Sequence, residues 1–156
     1  MKQAELKQFN IRVYAVIIND KAELLLSDEF RFDRRMTKFP GGGMHLGEGP
    51  SDCIRREALE EFGQEILITG HLYTTHFFQR ALFYTDQQLI SIYYRAKFKD
   101  PPRFRISEKP FDFPELVNGS QSFRWEKIAT LSEDKLSFPI DRYVLKLLKN
   151  PETPVV

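Results

Sequence analysis

The stretch GGMHLGEGPSDCIRREALEEFG, from Gly42 to Gly63, decides how the chain is read. Glu57, Glu60 and Glu61 follow the helical offsets i, i+3 and i+4, so on a helix they project from one arc of its surface. Ile54, Ala58 and Phe62 fall on a separate apolar stripe, which lets the same helix bury one flank and present carboxylates on another. Like charges at i, i+4 are mildly destabilising, so Glu57 beside Glu61 implies a cation that offsets the repulsion. Arg56 and Glu60 form an opposite-charge i, i+4 pair able to hold one carboxylate in a fixed orientation. Pro50 suits the first helical turn and Gly63 the left-handed position past the last, which predicts a helix over 50–62. Ahead of it, Gly41, Gly42, Gly43, Gly47 and Gly49 permit close approach of bare backbone, as phosphate and metal sites often require, and Glu48 closes the loop.

Outward from this motif, Ile11 to Ile18 and Ala22 to Leu26 read as two strands paired in a hairpin through Asn19-Asp20-Lys21. A loop rich in charge follows, and Thr37-Lys38-Phe39-Pro40 leads into the glycines. Beyond the helix, β-type stretches occupy 64–75 and 77–84, with a turn at Asp86-Gln87. Period-2 alternation is clearest at Ile90, Ile92, Tyr94, Ala96 and Phe98, which are assigned to the core, against Ser91, Tyr93, Arg95 and Lys97 on the other face. Phe123-Arg124-Trp125 supplies a last strand, and Asp141 is expected to cap a C-terminal helix whose apolar side carries Tyr143, Val144, Leu147 and Leu148. The tail, 150–156, is expected to fray. Strands on both sides of one central helix, plus a terminal helix, indicate an α/β protein with a mixed sheet covered on both faces.

The 156 residues suit one domain, 1–156, and 42% hydrophobic content is that of a globular chain. A formal net charge of +1 gives no electrostatic case for stable nucleic-acid binding or for a membrane surface. Cys53 alone forms no internal disulfide, reads as a small helix residue rather than a nucleophile, and is compatible with a reducing compartment. The start, MKQAELKQFN, lacks an apolar core of signal-peptide length and no run is long enough to span a membrane, so the expected location is cytoplasmic. Neither an internal repeat nor a low-complexity segment is visible.

The motif resembles the box of the Nudix hydrolases, a glycine, five residues, a glutamate, seven residues, then Arg-Glu-hydrophobic-any-Glu-Glu-any-Gly-hydrophobic. Those positions are Gly42, Glu48, Arg56, Glu57, Ala58, Glu60, Glu61, Gly63 and Gln64. Seven fixed residues, each at ordinary usage, match by chance at one start point on the order of 10⁻⁸ of the time. Ala58 is smaller than usual for the family, Gln64 is polar where a hydrophobic residue is usual, and His45 stands where relatives are often acidic. The resemblance is specific over the box and architectural elsewhere. It implies an α/β/α sandwich with the box as loop-helix-loop, and a hydrolase of diphosphate (pyrophosphate) bonds in nucleotides or nucleoside diphosphate derivatives.

A diphosphate repels incoming hydroxide, and hard divalent cations on carboxylate oxygens neutralise its bridging oxygens and acidify water. Magnesium is the expected cofactor, with manganese as a substitute. By similarity to the family, Glu57, Glu60 and Glu61 supply metal ligands, with the Gly41 carbonyl as a further one. Arg56 holds the carboxylates, and the base that deprotonates water is left open among these glutamates and Glu48. Gly42, Lys38, Arg34 and Arg35 are candidates for contact with substrate phosphates, Lys38 first. Phe77, Phe78, Phe83 and Tyr84 are candidates to stack on a base, although such residues in strands are usually core. His71 and His76 read as packed or exposed rather than catalytic.

The substrate stays generic: downstream markers of the ADP-ribose and diadenosine-polyphosphate types do not fit, and the upstream LLLSDEFRFDRRMTKFPGG only partly matches the coenzyme A type. The long stretch from Lys99 to Gln121 is a candidate lid or recognition loop, within which Glu108, Asp112 or Glu115 offers an extra metal ligand. Two other classes remain, a non-hydrolysing nucleotide-sugar sensor and an isoprenoid diphosphate isomerase. The intact carboxylates disfavour the first, and the lone cysteine inside the helix disfavours the second. A small-molecule diphosphate is the expected partner, with homodimer formation as a further expectation.

Overall fold

Seven strands and two helices form two sheets in a computed structural model that describes residues 2–152. In chain order these are β1 (Gln8–Ile17), β2 (Glu23–Arg31), β3 (Arg34–Lys38), β4 (Gly41–Gly43), α1 (Pro50–Phe62), β5 (Ile66–Thr74), β6 (Gln87–Phe98), β7 (Ser120–Lys127) and α2 (Pro139–Lys149). One turn of 3₁₀ helix, Glu133–Lys135, precedes α2. The first sheet runs β4-β1-β6-β5 and is mixed, because β1 and β6 are parallel while the outer pairs are antiparallel. The second, β3-β2-β7, is antiparallel throughout. The expected α/β/α sandwich is therefore present, its strands divided between two sheets.

Alternation along β1 explains how both faces are covered. Val13, Ala15 and Ile17 join Ile54, Ala58 and Phe62 of α1 in one core cluster, whereas Tyr14 and Val16 join Ile140, Val144 and Leu145 of α2 in another. β2 divides likewise, with Leu25 in the α1 cluster and Leu24 and Leu26 in the α2 cluster. Each fully buried Leu or Val on these strands contributes about 1.5–3 kcal/mol of transfer free energy, so both helices are held by strands that have no solvent face.

The boundaries of α1 agree with its sequence signals. Pro50 opens it, the Gly49 N–H donates to the Asp52 carboxylate at 2.9 Å, and Gly63 closes it at φ 65° with its N–H on the Leu59 carbonyl. Cys53, Ile54, Ala58 and Phe62 form the buried flank.

Several expectations are corrected. Asn19 does shape a turn, its Oδ1 accepting the N–H groups of Lys21 and Glu23, but the strands it joins lie in different sheets and, among the described residues, are bridged in the backbone at Ile18–Leu24. The turn is a corner and not a hairpin. The segment read as a charged loop is instead the β2–β3 hairpin, turning at Phe32 and Asp33, both with positive φ. Its charges misled because they are neutralised internally: Asp28 is fully buried against Arg124 at 2.7 Å, and Lys38 is paired with Glu29 at 3.1 Å. The 77–84 stretch is irregular, with one bridge from Arg80 to Gln88. Tyr93 and Ser91 are buried, since β6 is a central strand covered on both faces there; only Arg95 and Lys97 emerge. Phe138 caps α2, and Asp141 lies inside the first turn, buried. Of the tail expected to fray, Pro151 and Glu152 form an exposed turn, and 153–156 lie outside the described residues.

The long connection between β6 and β7 is tied down. Phe104 lies 4.7 Å from Phe62, ring to ring, and Gln64 accepts the Arg103 N–H at 2.5 Å while donating to the Pro101 carbonyl. The Phe111 N–H reaches Asp28, and the Asn118 side chain accepts the Phe32 N–H. These contacts make the segment, read as a candidate lid or recognition loop, a strap across the end of α1 and the β2–β3 hairpin.

Candidate active site

β4 presses the glycine loop against β1 and α1. A Cβ on Gly41, whose φ is 143°, would lie 2.1 Å from the Val13 carbonyl oxygen, and one on Gly42 would lie 2.4 Å from Glu57 Oε1. Only bare backbone fits between β1 and the Glu57 carboxylate.

Arg56 is the hub of the exposed half of the site. Its Nε and Nη2 donate to the two oxygens of Glu48 at 2.5 and 2.9 Å, its Nη2 also reaches the Gly43 carbonyl at 2.9 Å, and its Nη1 reaches Glu57 at 3.0 Å. The expected pair with Glu60 is present at 3.2 Å. Bidentate geometry fixes the orientation of Glu48 as well as its charge. Hydrogen bonding by Arg56, together with the His45 backbone N–H, holds the Glu48 carboxyl down to about 2. The imidazole of His45 is exposed and 3.9 Å from Glu48, so this position contributes through its backbone.

Glu61 occupies the buried half. Gln121 donates to its Oε1 at 3.1 Å, and its Oε2 is buried without a hydrogen-bond partner. Burial is the main cause of its rise to about 8, with Glu29 and Glu57 adding repulsion and Lys38 opposing it. A continuous polar chain runs from here: Gln121 also donates to Ser27, Ser27 to Glu29, and the Lys38 ammonium bridges Glu29 and the Gly41 carbonyl at 3.1 and 3.2 Å.

Among the described residues no three His, Cys, Asp or Glu side chains are gathered closely enough to hold an ion as they stand. Arg56 draws Glu48, Glu57 and Glu60 onto itself, and Lys38 takes the Gly41 carbonyl. The donor set nonetheless fits a hard divalent cation. It consists of carboxylate and carbonyl oxygens, and the orphaned Oε2 of Glu61 is a buried acceptor lacking a hydrogen-bond partner.

Of the basic candidates, Lys38 is buried inside this network rather than free in solvent. Arg34 is exposed, 5.8 Å from the Phe83 ring, at the hairpin end. Arg35 alternates with Arg34 and Met36 along β3 and projects from the opposite face. Asp112 is engaged by Arg105 and Ser107, and Glu108 and Glu115 are exposed on the strap. Cys53 is buried and its thiol pushed up to about 11 by burial, which removes it as a nucleophile. Phe77 packs on the α2 cluster, whereas Phe83 and Tyr84 line a cleft. His76 bonds the Tyr73 hydroxyl and His71 bonds Thr74.

Three residues of the site escaped the sequence reading. Gln121 orients Glu61, and Glu29 neutralises Lys38. Arg12, on β1 opposite Gly43, donates its Nε to the Tyr14 hydroxyl at 2.7 Å and lies in a cleft that also contains Glu29 and Lys38. Arg12 fell in a predicted strand, Glu29 in a stretch read as a charged loop and Gln121 at the end of a long connection; their meeting depends on which strands pair. The cleft lies between β1, β6, the β2–β3 hairpin, residues 81–84 and the start of α2.

Comparison with known proteins agrees with this geometry. A model of the NUDIX domain matches residues 8–148. The chain belongs to the Nudix family. A curated Nudix relative, the RNA pyrophosphohydrolase of Hamiltonella defensa subsp. Acyrthosiphon pisum (strain 5AT), is 33% identical over 72 residues, 46% of this chain and 43% of that protein. The match thus spans less than half of either Nudix chain. Among solved structures, a NUDIX hydrolase from Nitrosomonas europaea superposes with a TM-score of 0.67 at 19% identity, covering 94% of this chain and 92% of its own. A MutT NUDIX hydrolase from Burkholderia pseudomallei gives 0.68 at 18% identity, covering 90% and 98%. These two likenesses establish the Nudix fold. No helix among the described residues is long and apolar enough to cross a membrane.

Proposed function

We propose that the protein is a magnesium-dependent Nudix pyrophosphohydrolase that cleaves the diphosphate bond of a nucleotide or nucleoside diphosphate derivative, with 1–156 acting as one catalytic domain in the cytoplasm. The observation that carries this reading is the buried, partnerless Oε2 of Glu61, set in a cluster with Glu29 and Glu57 that favours a cation. Glu57, Glu60, Glu61 and the Gly41 carbonyl are the residues that would hold it. A bound magnesium ion, or manganese in its place, supplies charge neutralisation at the bridging oxygens and a more acidic water.

The protein's own groups divide the remaining work. Arg56 keeps Glu57 and Glu60 oriented through contacts at 3.0 and 3.2 Å. Glu48, with both oxygens engaged and its carboxyl held down to about 2, braces Arg56 and is a poor proton acceptor. The proton from water therefore falls to Glu57, Glu60 or Glu61. Lys38 donates to the Gly41 carbonyl and lines the cleft, so its ammonium is the group that would meet a phosphate oxygen of the substrate.

The test is product release from nucleoside triphosphates, nucleotide sugars, dinucleotides, coenzyme A and a 5′-triphosphorylated oligoribonucleotide, with and without magnesium. The expected result is magnesium-dependent release of phosphate, pyrophosphate or mononucleotide from at least one class. Binding without turnover across the whole panel would overturn the hydrolase reading in favour of a sensor.

A further inference from the structure

On one face of the mixed sheet α1 covers β1 from Val13 onward, and the start of that face is bare. Phe9 and Ile11 share the side of Val13, Ala15 and Ile17, which pack with α1. The parallel register sets Phe9 beside Gln88 and Ile11 beside Ile90. The Met44 N–H donates to the Ile11 carbonyl, and Met44 and Ile92 rest against the α1 cluster. At the far margin, the Arg80–Gln88 bridge and the Leu89 N–H on the Gln79 carbonyl carry the antiparallel register to Phe78 beside Ile90. Phe9 is 65% exposed and Phe78 57%, while Ile11 and Ile90 are partly exposed and belong to neither core cluster. An apolar patch continuous across neighbouring strands differs from scattered surface hydrophobics and marks a contact site.

Charge and area both select a second copy of this chain as the occupant. None of these side chains is charged, so a charged partner gains no counter-charge there, whereas two copies laid face to face bring no like charges together. The formal net charge of +1 adds little long-range repulsion between copies. Aromatic side chains that bury about 150–250 Å² each, at these exposures, give Phe9 and Phe78 together roughly 180–300 Å² of open surface. Ile11, Met44, Ile90, Ile92 and a polar rim supply the rest of the roughly 500 Å² a side that a specific contact needs. A two-fold contact requires such a self-complementary patch.

We propose that this face pairs two copies of the chain about a two-fold axis, Phe9 and Phe78 of each entering the other's apolar patch, and that the contact braces the loop leaving Met44. That loop carries the His45 N–H that holds Glu48 at 2.7 Å, and Glu48 in turn grips Arg56. The second copy thereby steadies the exposed half of the site without contributing a group to it.

Sedimentation velocity measures the mass of the wild type, Phe9→Glu and Phe78→Glu, with circular dichroism on the same samples. A dimer is expected for the wild type, with a dissociation constant raised about 10-fold or more in each variant, because a carboxylate buried without a partner opposes the contact. Both positions are mostly exposed, and if one variant does not fold the other decides. Amide exchange over 44–48 is expected to be about 3-fold or more slower in the wild type than in the variants. A wild type that stays monomeric up to about 0.1 mM, a dimer indifferent to both substitutions, or equal exchange over 44–48 would overturn the inference. A monomeric wild type that floats with phosphatidylcholine–phosphatidylserine vesicles would overturn it in favour of a lipid surface. No substrate enters these measurements, so their outcome is independent of the hydrolase reading.

Discussion

Gly42 shows how little freedom single residues have in this site. A methyl group there would meet the Glu57 carboxylate at 2.4 Å, and the carboxylate is the movable partner. Gly42→Ala is expected to retain the fold and displace Glu57, lowering kcat by about 100-fold, as misplacement on the ångström scale does. Turnover and circular dichroism on the same preparation check this, and an active, folded variant would contradict the packing. Spacing alone made Glu57, Glu60, Glu61 and the Arg56–Glu60 pair legible, because helix periodicity converts sequence offset directly into position. It could not show that Arg56 grips Glu48 at 2.5 Å more tightly than it holds Glu60, since that contact depends on the path of the loop between them. Lys38 stood out as a candidate phosphate contact, but its pairing with Glu29 was opaque for a related reason, since it depends on how β2 and β3 pair.

At the scale of elements, α1 could be delimited from its proline and glycine, whereas the elements around it required knowledge of tertiary contacts. Gln64 is the clearest instance. It departs from the hydrophobic residue usual at the end of the box because its amide ties the strap to α1 through Pro101 and Arg103, with only 4% of its surface exposed. Gln64→Leu restores the usual character yet abandons the Arg103 N–H, so it is expected to destabilise the protein by about 1–3 kcal/mol. Chemical denaturation measures this; a neutral or stabilising outcome would mean the strap is held by its other contacts, Phe104 on Phe62 and the Phe111 N–H on Asp28 among them. The β2–β3 hairpin was missed because Asp28, which accepts from Thr37, Arg124 and Phe111, has the sequence signature of a surface residue and the environment of a core one. Removing one member of such a buried pair typically costs about 3–5 kcal/mol.

Across the whole molecule, the division of seven strands into two sheets was not legible, because local pattern predicts strands but not their partners. The parallel β1–β6 pairing joins residues some 80 positions apart and places Tyr93 against Asp141. Burial raises the Asp141 carboxyl from 3.8 to about 6. The folded protein therefore holds this proton more tightly than the unfolded chain, and the associated stability is present below about pH 4 and lost as pH rises to about 6. Relative to Asp141→Asn, which does not titrate, the wild type is expected to lose stability across that window and to run parallel above it. Urea denaturation at closely spaced pH values reads the difference directly, and parallel curves from pH 4 to 6 would show that the carboxyl is not perturbed.

Everything proposed for catalysis depends on Glu61 and its neighbours forming a divalent-cation site. Isothermal titration calorimetry of magnesium and manganese into the folded wild type and Glu61→Gln tests it without reference to any substrate. Saturable uptake by the wild type is expected, with a loss of affinity of about 10-fold or more in the variant and the melting temperature of the metal-free proteins little changed. Absence of uptake by the wild type, or identical isotherms for both proteins, would contradict it.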